Sequence, residues 1–160
     1  MDTIIMCFRN DFDRFWDLME KQIDVCPDDL WTQKVGGYIY WQQIFHSILC
    51  VEFFSICQAD SEPVLQKKYP LDVAMLKTVP DMVISKQEMH DLAKQAKAIA
   101  HNFMEKLTVE NLTEPQVQMS NRMKREQTMQ NALIALIRHC TYHLGCCDAV
   151  LRQHGLEGVY

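Results

Sequence analysis

An all-α fold, four long helices in a bundle with one long crossover connection, is predicted by three observations. The 160-residue chain carries only five glycines and five prolines, so few positions interrupt a helix. Apolar residues recur at the helical period of about 3.6 and almost nowhere alternate as a half-buried strand requires. Two loops of short to moderate length and one long connection join the helical stretches, which is the pattern of a bundle with a crossover. No internal repeat or low-complexity segment divides the chain, and its length suits one domain over 1–160.

The first helix is expected from about Asp2 to Ile23. Ile4, Phe8, Phe12, Phe15, Trp16, Met19 and Ile23 share a face, opposite Asp11, Asp13, Arg14, Asp17 and Lys21. Pro27 ends it, because proline cannot donate to the helical ladder, and "CPDDLWTQKVGG" reads as a loop. The second helix is expected from about Tyr38 to Ser55 and is apolar nearly all round, so it should be buried. The long connection "QADSEPVLQKKYPLDVAMLKTVPDMVI" follows, with a short helix near 71–77. "SKQE" then opens the third helix as a capping box, Ser85 with Glu88. That helix runs to about Leu107, with Met89, Leu92, Ala96, Ile99, Phe103 and Leu107 as its buried stripe. After the loop "TVENLTEPQVQMS", the fourth helix is expected from about Asn121 to His154, stopping at Gly155.

Composition narrows the function. Hydrophobic residues at 48% and charged residues at 23% match a soluble globular protein. No apolar run reaches the length of a membrane span. The start "MDTIIMCFRNDFDRF" has no basic n-region, so it reads as part of the fold and the expected location is cytoplasmic. Net charge is −5, from 16 basic and 21 acidic residues, and the densest basic stretch is only "RMKRE". Neither nucleic acid nor an anionic membrane is therefore expected as a partner. Of the seven cysteines none forms a CxxC pair, and reduced thiols used as small apolar residues are expected.

The stretch "RHCTYHLGCC" carries the chemistry. His139 and His143 are four residues apart, so they lie only about 40° apart around a helix and about 6 Å apart along it. Leu136, Cys146, Cys147 and Val150 share their face, which places the pair inside the buried stripe. A neutral buried imidazole still needs a partner for each ring nitrogen. A metal ion would satisfy one nitrogen per ring, and backbone or water could do the same for two core histidines; spacing alone leaves both open. A third candidate ligand is His46, mid-way along the buried second helix, with Leu49, Cys50, Phe53 and Cys57 on its face. His90 and His101 share a polar face with Lys86, Lys94 and Lys97 and are expected to be solvated. His154 sits in the last turn of its helix, where a cation complements the dipole.

These residues resemble the DinB/YfiT-like family. "WQQIFHSIL" is similar to that family's second-helix segment with its first histidine. "HCTYHLGCCDAVLRQHG" is similar to its last-helix signature, carried here by His139, Tyr142, His143, Gly145, Leu151, Arg152 and Gly155. "TVENLTEP" resembles the segment before that helix. The resemblance implies an up-down-down-up four-helix bundle, a divalent metal on His46, His139 and His143, and often a homodimer. Some members of the wider family transfer low-molecular-weight thiols or use one as cofactor. The chain departs from the pattern at Cys146, where the family often has glutamine.

Three imidazoles without a fourth protein ligand make an open site, suited to Zn²⁺ and also to Ni²⁺ or Fe²⁺. Such an ion acidifies a bound water or thiol, so hydrolysis and activation of a thiol against a small molecule are both expected chemistries. No carboxylate lies on the histidine faces to shuttle protons. Glu52 is about 120° from His46 around the helix, and Asp13, Asp17 and Glu20 belong to the polar side of the first helix. That leaves Asp60 or Glu62 of the connection, and otherwise tilts the expectation toward a thiol transferase. Leu49, Phe53, Leu136 and Val150 would wall a modest apolar pocket. Two rival expectations stay open. Cys50 or Cys147 could add a thiolate and close the site, or the protein could be a non-catalytic scaffold with a structural metal or none.

Overall fold

The computed structural model describes residues 2–35, 37–56 and 63–160. Asp60, Glu62 and Cys57 lie outside the described residues, so their expected roles are not addressed below. Among the described residues the protein is mostly helical, with one minimal two-stranded sheet. None of those helices is long and apolar enough to cross a membrane.

Helix α1, Thr3–Val25, buries Ile5, Phe12, Trp16, Met19 and Ile23, with Phe12 stacked on Trp16 at 5.3 Å. The stripe begins at Ile5 and not at Ile4, which is 43% exposed against 0% for Ile5. Only Ile5 keeps the i, i+7, i+11 phase of Phe12 and Trp16. The expected loop after Pro27 holds a short helix α2, Asp28–Trp31, and an antiparallel pair β1, Lys34–Val35, and β2, Tyr38–Ile39. Gly37 takes φ +98° in the intervening turn, a value that L side chains rarely adopt.

Helix α3, Tyr40–Ser55, starts at the end of this hairpin, and every residue in it is buried except His46 and Phe53. Its buried polar groups hold the long connection in place. The Glu52 carboxylate accepts from the backbone N–H groups of Val64, Leu65 and Gln66 at 2.5–3.0 Å. Gln42 Nε2 donates to the carbonyls of Val73 and Thr78. The short helix expected near 71–77 is α4, Leu71–Ala74.

Helix α5, Lys86–Glu105, begins where Ser85 Oγ accepts from the Glu88 N–H. The capping box is half made, because the Glu88 carboxylate turns away to accept from the Tyr69 hydroxyl at 2.9 Å. His90 and His101 are not free in solvent. His90 Nε2 meets Asp24 at 2.8 Å and His101 Nε2 meets Asp13 at 2.6 Å, both across to α1. Lys97 adds an ion pair to Asp17 at 2.7 Å.

The expected last helix is two helices. Helix α6, Val117–Met123, stops at Lys124, whose backbone is left-handed with φ 53°. Ser120 closes the turn, its hydroxyl accepting from Gln127 N–H at 2.8 Å. Helix α7, Met129–Gln153, then starts from a full capping box of Thr128 with Asn131. His154, the C-cap residue, turns its Nδ1 back to the Val150 carbonyl of the last turn at 2.9 Å. The four long helices α1, α7, α3 and α5 pack in a ring in that order, and their buried side chains form one apolar cluster.

Candidate metal centre

Helix α3 contributes His46 and helix α7 contributes His139 and His143, and the α3–α7 contact brings the three together. One ring nitrogen from each lies within 4.8 Å of the others. Ring centroids are 5.0 Å apart for His46 and His139, 4.8 Å for His46 and His143, and 4.6 Å for His139 and His143. Three imidazoles on one tetrahedral ion, with metal–nitrogen distances near 2.0–2.1 Å, would have centroids about 5 Å apart. The ring spacing matches that of a shared divalent ion, for which the ligand nitrogens would close from within 4.8 Å to about 3.3 Å.

Each ring is set differently. His46 Nδ1 lies 2.7 Å from the Ala74 carbonyl. A carbonyl only accepts, so Nδ1 carries the proton and Nε2 keeps the lone pair a metal needs. His143 is buried at 5% exposure, and its Nδ1 has no hydrogen-bond partner. A buried, unpaired ring nitrogen is costly unless something outside the polypeptide completes it. His139 makes no hydrogen bond from either nitrogen among the described residues, and its ring packs edge-on against Phe54 at 5.4 Å. Tyr142 packs edge-on against His143 at 5.0 Å.

Burial alone does not single these histidines out, since His46 and His139 are half-buried, as His90 and His101 are. What differs is the company. Carboxylates face His90 and His101, whereas among the described residues the three converging rings meet one another, the Ala74 carbonyl, the Cys50 thiol and aromatic walls. Desolvation lowers all three pKa values. His139 falls to about 4, with His46 and Arg138 adding repulsion. His143 falls to about 3, with His139 and His46 adding repulsion. For His46 the Ala74 hydrogen bond partly opposes the loss. All three rings are consequently neutral at pH 7, the state a ligand requires.

The two candidate thiolates separate. Cys50 Sγ lies 3.7 Å from both nitrogens of His46. That equal spacing puts it beside the ring and not in front of either lone pair. Burial pushes its thiol up to about 12. Cys147 is not at the site: it is fully buried with Cys26 and Asp148 as ionisable neighbours. Helical drift explains this. Leu144, one turn before Cys147 and two before Leu151 on that stripe, presents its carbonyl to Gln22 of α1, so the stripe faces α1 while His139 and His143 face α3.

No described carboxylate joins the cluster. Glu52 is committed to the connection, and Asp13 and Asp17 are paired with α5. Of the expected apolar wall, Phe53 lines a cavity of about 520 Å³ and Val150 one of about 300 Å³, whereas Leu49 and Leu136 are core residues. The Ala74 carbonyl was not foreseeable, because a backbone acceptor leaves no residue-type signal. No family model, curated protein or solved structure matches the chain. What the fold and site define is an all-α protein with a three-histidine candidate metal centre.

Proposed function

We propose that this protein is a divalent-metal-dependent enzyme that activates a thiol or a water against a small molecule, with His46, His139 and His143 as the ligands. The carrying observation is the convergence of three neutral imidazoles on one point, with one buried nitrogen left unpaired and, among the described residues, no fourth protein ligand in front of them. A bound Zn²⁺, Ni²⁺ or Fe²⁺ supplies Lewis acidity to whatever occupies the remaining position. The chain's part is to hold the rings: Ala74 fixes the His46 tautomer, and Phe54 and Tyr142 wedge His139 and His143. With no carboxylate shuttle among the described residues, thiol transfer fits better than hydrolysis, since a thiol loses its proton on coordination. The up-down-down-up bundle, the DinB/YfiT-like membership, a homodimer and a cytoplasmic setting belong to the same proposal.

A second reading has one observation in its favour. Cys50 sits against His46, and a rotamer change could turn its sulfur into a fourth ligand and make a closed, structural site. Elemental analysis of untagged protein tests both. Wild type should hold about one equivalent of metal, and His46→Ala, His139→Ala and His143→Ala should each lose most of it. Metal retained by all three variants would remove the ligand assignment. In Co²⁺-loaded protein, added thiol should change the visible spectrum. A thiolate band without added thiol, abolished by Cys50→Ser, would favour the closed site.

A further inference from the structure

Beside the histidines runs a groove of about 520 Å³ lined by Cys50, Phe53, Phe54, Gln66, Leu71, Met75, Arg122 and Met123. Its inner wall is continuous with the candidate metal centre. Cys50 touches His46 and Phe54 packs on His139. Its floor and sides are apolar: Phe53 and Phe54 stack edge to face at 5.3 Å, and Leu71 and Met123 are 56% and 45% exposed along it. Apolar surface left open beside a built site marks a binding cleft better than scattered exposed residues do.

Two polar groups break this wall. Gln66 is anchored twice, by its N–H to Glu52 and by its Nε2 to the Leu49 carbonyl at 3.0 Å. Its Oε1 is left as a fixed acceptor. Arg122, in the last turn of α6, has no acidic partner among the described residues, and none of the described lining residues is a carboxylate. Among its described lining residues the groove thus carries a single sign of charge, at the α6 side, away from the histidines that Cys50 and Phe54 touch. Guanidinium groups pair with planar anions through a two-pronged fork.

We propose that the groove binds a small amphiphile, an apolar chain or ring bearing one anionic group that Arg122 holds, with the opposite end presented to the three histidines. This names the substrate class for the function proposed above and rests on that reading for its catalytic meaning, although not for binding itself. A carboxylate, sulfonate or phosphate would serve equally as the anionic group.

Calorimetric titration of the chelator-treated 160-residue protein with octanoate, octan-1-ol and octylammonium tests this without interference from a metal. Octanoate should bind about tenfold more tightly than octanol, and octylammonium should bind more weakly than either. Arg122→Gln should bring octanoate down to the octanol value. Arg122→Glu should reverse the preference toward octylammonium. Met75→Trp, which fills the groove, should weaken all three ligands. Equal binding of the three ligands, or no change in Arg122→Gln, would overturn the proposal, and so would full octanoate binding by Met75→Trp. Arg122 is exposed, so its variants should keep the wild-type circular dichroism. Zinc uptake is measured on the same samples. Octanoate selectivity without zinc binding would sink the metal reading and leave the groove, and the converse result would sink only the groove.

Discussion

The three histidines make the metal-free protein acid-sensitive, by an amount that can be worked out. In the unfolded chain each ring titrates near its ordinary value of 6.5, whereas in the folded protein His139 titrates near 4 and His143 near 3. Above 6.5 both states are neutral and the rings contribute no pH dependence. As pH falls below 6.5 the unfolded chain takes up protons that the folded protein refuses, so stability is lost down to the folded values. At pH 5 the difference is about 2 kcal/mol per ring, or about 4 kcal/mol for the two. That is a large part of the 5–15 kcal/mol that typically holds a domain of this kind together. Around pH 5.3 the two rings give a slope of about 2–2.5 kcal/mol per pH unit.

Urea unfolding of chelator-treated protein, at half-unit steps from pH 7.5 to 4.5, measures this slope. Of the part that these two rings contribute, His139→Gln should remove about half and the His139→Gln/His143→Gln double variant all, leaving the smaller slope from His46, whose burial also lowers it. Glu20, raised by burial, works in the opposite sense, because its folded form binds the extra proton. It is common to all variants and cancels in the difference. Asp148, held low chiefly by its Arg152 hydrogen bond against the desolvation that raises it, acts only below its ordinary 3.8 and lies outside the window. A double variant with the wild-type slope would refute the assignment of these rings as buried, neutral groups.

Zinc should raise the melting temperature of wild type at pH 7, by about 2.7 kcal/mol of stability at a hundred times Kd, and should leave the His46→Ala protein unchanged; thermal denaturation with and without chelator reads this. Glu52→Gln should cost about 2–4 kcal/mol, because a buried carboxylate accepting from three backbone N–H groups loses its charge-assisted bonds. It should also weaken zinc binding, because the same connection carries Ala74; unimpaired zinc affinity would argue that α4 is held independently. Thr128→Ala should cost about 1 kcal/mol in chemical denaturation through loss of the α7 cap. Gly158→Ala should destabilise the folded tail, since a Cβ there would collide with the Asp148 carboxylate that binds Val159 N–H. A loss of about 1–3 kcal/mol is expected, measured in the same way.

The sequence made the long helices and the three-histidine set legible for one physical reason: both depend on periodicity, and a buried helix stripe fixes which residues can meet. Ile4 was misplaced because Ile4 and Ile5 are both isoleucine, and only packing decides which one keeps the phase of Phe12 and Trp16. The break between α6 and α7 was hidden because its signal is a capping box closed by asparagine, Thr128 with Asn131, and a left-handed lysine. The carboxylate contacts of His90 and His101 were hidden because their acids, Asp24 and Asp13, lie on another helix far away in sequence. Cys147 looked like a ligand from its i+4 spacing, yet α7 contacts both α1 and α3, so one turn of drift carries a side chain from one neighbour to the other.

The connection between α3 and α5 is where fold and site become one problem. Glu52 and Gln42 anchor its two ends to α3, on either side of His46. Between those anchors Ala74 bonds the His46 ring, Met75 enters the larger cavity and Leu76 the smaller one that also exposes His143 and Cys146. Leu76 holds φ 59°, a left-handed value that costs a non-glycine residue on the order of 1 kcal/mol or more. A segment serving only to close a loop could relax by placing glycine there. Here the left-handed residue follows directly on Met75, which lines the larger cavity, and itself lines the smaller one. The candidate centre is therefore flanked by two separate cavities, one apolar with an arginine and one lined by Tyr142, Gln43 and Cys146. Under the proposed thiol-transfer reading these cavities would be separate places for two small molecules, the smaller bordered by His143 and the larger by Cys50 and Phe54, which touch His46 and His139.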